Sequence, residues 1–256
     1  MVRQIASRSL AGVALVSLAG CGTTTTTVDE DNGCPPGMVV VDASPAFCID
    51  ATETTRAAYA EWMASPEAKH SVDPRCTDEP SVPFGIDWPP PPGDRSLPVA
   101  GIDWCEGLGF CQSQGKYLCG STSGPSLDVE PSGGATGFRD LDSAFYFACS
   151  DGGDSPWGYG AEPVADACAD VVDDGPEAIG SRPSCEGGTP GAFDLAGNVF
   201  EWTDECAWID SPEVGGAHQC VARGMWEGCD GSLRVSASAN VWIGFRCCAD
   251  FAEKER

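Results

Sequence analysis

The sequence predicts one α+β domain that is rich in loops and stapled by disulfides. Three observations predict it. Two helical patterns lie early in the chain, and short apolar segments between loops follow them. Glycine (32) and proline (20) are too frequent for many long regular elements. Fifteen cysteines sit among 256 residues. Setting Cys21 aside leaves an even number, enough for up to seven disulfides in an oxidising compartment, with the connectivity open.

Residues 1–20 read as a secretory signal outside the fold. Arg3 and Arg8 precede "LAGVALVSL" (10–18), an apolar run too short to span a bilayer. The ending "LAGC" (18–21) resembles a bacterial lipobox, which implies cleavage before Cys21 and lipidation of its thiol. Ordinary cleavage nearby would leave Cys21 free. Gly22 after the cysteine, in place of Asp, favours an outer-membrane lipoprotein, facing the periplasm or the surface. Residues 21–33 then form a lipidated cysteine and polar tether, and 34–256 the domain.

Within the domain, "GMVVVDASPAFCID" (37–50) predicts two short strands around a turn. "TTRAAYAEWMAS" (54–65) predicts a helix capped by Thr54 or Thr55, with Ala58, Tyr59, Trp62 and Met63 on one face. Residues 74–98 form a long proline-rich loop. "DWCEGLGFCQSQG" (103–115) predicts a second helix ending at Gly115. Residues 119–137 read as a flexible insertion, and the last hundred residues as irregular β-structure.

The formal net charge is −25, and losing Arg3 and Arg8 makes it more negative. Such a chain disfavours nucleic acid and anionic membranes as partners and favours cations. A zinc protein is disfavoured by the absence of a repeated C-x-x-C and by having His70 and His218 as sole histidines. The same shortage argues against a His-based iron triad and a Ser-His-Asp hydrolase.

Five segments, in order, resemble the sulfatase-modifying-factor family, to which the formylglycine-generating enzyme belongs. They are "GMVVVDASPAFCIDATETTRAAYAEWMAS", "LPVAGIDWCEGLGFCQSQGKYLC", "SAFYFACSDGGDSPWGYG", "GAFDLAGNVFEWTDEC" and "VARGMWEGCDGSLRVSASANVWIGFRCC". The resemblance implies a loop-rich variant of the C-type-lectin fold. It also implies calcium at the G-N-x-x-E-W loop, with Asn198 and Glu201 as ligands, and a second site at Asp170, Asp173 and Asp174. Hard Ca²⁺ takes such oxygens. The asparagine common in that upstream loop is missing here.

The family's named activity, copper-dependent oxidation of a sulfatase cysteine by O₂, needs two thiolates for Cu(I). Cys229 stands near the first position, and Arg234 occupies the second. Copper and a catalytic Cys229 therefore belong only to an oxidase alternative. Cys229 reads more simply as half of a structural disulfide, with Cys247 or Cys248 as the suggested partner. The leading reading is a non-catalytic binding domain at the cell envelope; a purely structural envelope protein is the remaining alternative. Segment 223–246 would line the pocket for a peptide, protein or glycan, with Trp226, Asp230, Arg234, Asn240 and Trp242 as contacts. Trp104, Trp157 and Trp202 are assigned to the core.

Overall fold

The computed structural model describes residues 32–66, 68, 73–76, 81–129, 139–170, 175–211, 215–224 and 228–252. The lipobox and Cys21, together with Asp173, Asp174 and Trp226, lie outside the described residues.

The expected strand pair forms as β1 (Met38–Val41) and β2 (Phe47–Asp50), antiparallel with Val39 opposite Ile49. The first helix, α1, spans Arg56–Met63, and Thr55 caps it by accepting from the Ala58 N–H at 3.1 Å. Such a cap contributes about 1 kcal/mol. Helix α2 covers Trp104–Ser113 and begins in a full capping box: Asp103 accepts from the Glu106 N–H, and Glu106 from the Asp103 N–H. Glu106 also accepts from the Ser81 N–H and hydroxyl, which anchors the proline-rich segment on the helix start.

Two short strands follow, β3 (Tyr117–Leu118) and β4 (Leu127–Asp128). The second corrects the expected flexible insertion (119–137) over its described part: β4 pairs in parallel with Glu205 and Cys206, so residues 119–129 are part of the fold, while 130–137 lie outside the described residues. A third helix, α3 (Ala144–Ser150), was not anticipated. Ser143 caps it, and Asp151 ends it in the left-handed region at φ 52°.

The long antiparallel pair β5 (Phe200–Ser211) and β6 (Gly215–Arg223) is flanked by β7 (Ser232–Ser236) on β6 and β8 (Ile243–Phe245) on β5. The final strand, β9 (Cys247–Asp250), crosses into the first sheet, giving the order β1-β2-β9-β3.

One apolar core packs α1 and α2 against β5, β6 and β8, around Tyr59, Trp104, Phe110, Trp202 and Phe245. A second packs α3 and the 192–196 loop against β2. Seven disulfides join all fourteen described cysteines. In the chain-entropy account each is worth about 2–4 kcal/mol. Cys247 and Cys248 face opposite sides of β9 and reach Cys111 on α2 and Cys119 respectively.

Candidate functional site

The G-N-x-x-E-W stretch is built as a tight turn leading into β5. Asp194 and Asn198 both take φ 62°, a left-handed conformation that Asn and Asp tolerate better than bulkier residues. Gly197 is required by proximity: a Cβ there would lie 2.7 Å from the Ala169 carbonyl oxygen. The turn directs Asn198 and Glu201 inward, where both are buried.

Their partners are protein groups. Glu201 receives two hydrogen bonds from Arg246, Nε to Oε2 and Nη2 to Oε1, each 2.7 Å. The rest of that guanidinium donates to the Asp50 carbonyl at 3.2 Å and the Phe193 carbonyl at 2.9 Å. Asn198 donates to Glu53 Oε1 at 2.8 Å and accepts from the Glu177 N–H at 2.9 Å. Asp194 accepts from the Gly180 N–H at 2.6 Å. Glu53 Oε2 is buried without a hydrogen-bond partner and lies 4.0 Å from Arg246.

Three buried carboxylates thus face one guanidinium. Burial pushes Glu53 well above the ordinary carboxylate range, and Asp194 adds to the effect while Arg246 opposes it. Asp194 and Glu201 also move up through burial. Burial alone would lower Arg246, but Glu201, then Glu53 and Asp194, outweigh it and hold the guanidinium above its usual value.

The Asn198 and Glu201 oxygens assigned to calcium are therefore engaged within the protein, and the Glu201 charge is met by Arg246. In the upstream loop, Arg182 takes the Asp166 and Cys168 carbonyls and Ser184 takes that of Ala167, while Asp170 is half-buried. Among the described residues no group of three His, Cys, Asp or Glu side chains is placed to hold a metal ion. The described residues of the G-N-x-x-E-W loop do not fit a calcium centre, while Asp173 and Asp174 of the upstream loop lie outside the described residues.

A two-thiolate copper centre fits still less well. Cys229 is buried and bonded to Cys149 at 2.03 Å, which ties α3 to the turn at 228–230. This corrects the suggested pairing, because Cys247 and Cys248 are committed to α2 and Cys119. Cys220, the other cysteine nearby in sequence, pairs with Cys206 across β5 and β6. Arg234, at the position for which the resemblance implies a second thiolate, lies on β7.

Of the expected ligand contacts, Asn240 and Trp242 come together: the Trp242 N–H donates to Asn240 Oδ1 at 3.0 Å. Asp230 stands elsewhere, next to Cys229, with its carboxylate 2.8 Å from the Arg139 Nε. Trp104 and Trp202 are core residues as expected, whereas Trp157 is only half-buried and lies near Tyr159. The sequence reading assigned no role to two buried arginines that pair with buried glutamates. Arg246 is one. Arg223 is the other, pairing with Glu205 through bonds of 2.7 and 2.6 Å while Ser143 donates to the same carboxylate. Both occur in quoted motifs, "VARG" and "GFR", and a buried Glu that requires a counter-charge was the available signal.

Fold and site together define a disulfide-stapled α+β domain organised around buried Arg–Glu pairs. The sequence matches the family described as "Sulfatase-modifying factor enzyme 1-like domain" over residues 7–251. The chain belongs to that family. Its fold is similar to the crystal structure of CarF, with a TM-score of 0.51 and 16% identity over 80% of this chain and 86% of that one. The P3c variant of the major tropism determinant aligns at a TM-score of 0.45 and 15% identity, over 84% of this chain and 53% of that one. At 16% identity the likeness to CarF speaks to fold alone. A comparison with curated proteins finds no match.

Proposed function

We propose that this chain is a non-catalytic, extracytoplasmic member of its family that acts by binding. The observation that carries the reading is the Cys149–Cys229 disulfide. It consumes the thiol nearest the family's copper position, and Arg234 replaces the second. Soft Cu(I) has no pair of thiolates to bind there. Complete pairing of the described cysteines supports an oxidising compartment, and the lipobox-like "LAGC" supports anchoring at the outer membrane through Cys21. Asn240 and Trp242 belong to the face that meets ligand.

Thiol counting on the mature protein, denatured without reductant, tests the catalytic question. Alkylation should find no free thiol, and copper with a cysteine-containing sulfatase peptide should give no O₂ consumption. A labelled Cys229 with copper-dependent turnover would overturn the reading. Metabolic labelling with palmitate tests the anchor, and Cys21→Ser should abolish incorporation.

A further inference from the structure

Six large apolar side chains are exposed among the described residues, and three of them belong to two segments bound to one turn. Phe84 is 66% exposed, Val82 59% and Trp242 39%. The Phe84 N–H donates to the Gly101 carbonyl at 2.6 Å, and the Gly101 N–H donates to the carbonyls of Asn240 and Ile243 at 3.1 Å. Contact between the segments is close enough that only glycines fit. A Cβ at Gly101 would run into the Phe84 carbonyl, and one at Gly85 into the Val241 side chain. Both glycines have positive φ, 80° and 78°. The apolar side chains are therefore displayed on a preorganised backbone, with Ser81 held down on Glu106 at one end. Exposed apolar groups on contacting segments with a fixed support mark an interaction site.

Charge selects the partner. Asp87 is exposed on the same segment, while nearby Arg56 is held by Asp94 at 3.1 Å and Arg95 by Glu61 at 3.2 Å. The chain as a whole carries a formal charge of −25. A second copy and an anionic lipid surface would both be repelled. A cationic segment would be drawn in, and exposed Trp and Phe faces suit guanidinium and ammonium groups as well as apolar side chains. We propose that Val82, Phe84 and Trp242 form a docking surface for a basic polypeptide segment carrying apolar anchors. The proposal rests on the reading of this domain as a binder and names its partner class.

The test uses the full mature chain and a fluorescent synthetic peptide of alternating arginine and leucine, followed by anisotropy at physiological ionic strength. Phe84→Ser and Trp242→Ser should each weaken binding about tenfold or more with unchanged Tm, while Leu141→Ser, at an exposed apolar position outside these segments, should not. Equal binding of an arginine–serine peptide, insensitive to these variants, would reduce the effect to polycation attraction and overturn the proposal. Equal binding of a glutamine–leucine peptide would remove the cationic requirement and overturn it too. A dimer by light scattering that Phe84→Ser disperses would assign the surface to a second copy. If no peptide binds and no turnover is found, the surface fails while the non-catalytic reading stands. Copper-dependent turnover alongside patch-dependent peptide binding would give the opposite split.

Discussion

Removing Arg246 tests the buried site most directly. Arg246→Met keeps an apolar stem of similar length and deletes the charge that faces Glu201, Glu53 and Asp194. Deleting one partner of a buried ion pair costs about 3–5 kcal/mol. At about 2–4 °C per kcal/mol for a domain of this size, Tm should fall by roughly 6–20 °C. The loss should also depend on pH. All three carboxyls are shifted upward when folded, mainly by burial. A raised carboxyl contributes stability that is complete below its ordinary value, near 4. That contribution is lost as pH climbs through the raised value, at about 1.4 kcal/mol per pH unit for one proton. Losing the guanidinium raises these carboxyls further, so the deficit of the variant should widen as pH rises above the ordinary carboxylate range. Glu53→Gln in the wild-type background should remove one proton's worth of that pH slope. The assay is calorimetry or circular dichroism without reductant, at constant ionic strength. A deficit below about 2 °C, or one equal at every pH, would refute the reasoning.

Three further outcomes follow from the same geometry. Asn198→Asp sets a carboxylate against Glu53 Oε1 in place of an N–H donor; urea melts should show a loss of about 2–4 kcal/mol that shrinks toward acid pH. Gly101→Ala should destabilise by at least about 1–3 kcal/mol, because φ is positive and the new Cβ meets the Phe84 carbonyl. A neutral result in the same melts would mean that segment 81–85 does not rest on this turn. Excess chelator should leave Tm unchanged, with no calcium found by elemental analysis. A drop of several degrees that calcium restores would make a cation, and not Arg246 alone, the counter-charge.

What could be read from the sequence was local. Thr55 lies within one helical turn of the backbone it caps and Gly115 stands just past the end of α2, so α1 and α2 were legible with nearly their true ends. Helix α3 was not, since its seven residues are almost all apolar and show no polar face to mark a period. Family motifs located the buried loop correctly but not its counter-charge. Glu201 and Arg246 are 45 residues apart, and only the parallel pairing of β5 with β8 brings them together. Cys229 presented the same difficulty. Its partner lies 80 residues upstream on an unanticipated helix, whereas the nearer cysteines were committed to bridges of 129 and 136 residues. The exposure of Phe84 was hidden because a proline-rich loop does not reveal which of its residues faces the protein.

The two ends of the domain meet. The Ala252 N–H donates to the Gly33 carbonyl at 3.1 Å, and β9 lies beside β2, which Cys48 ties back to Cys34. In engineering terms the domain has a single port, with entry and exit side by side. A short peptide could join residue 252 to residue 33 to make a circular chain, and the whole unit could be inserted into a loop of a host protein without prising that loop apart. New termini would then be best opened in an exposed turn away from the port, leaving all seven disulfides able to form.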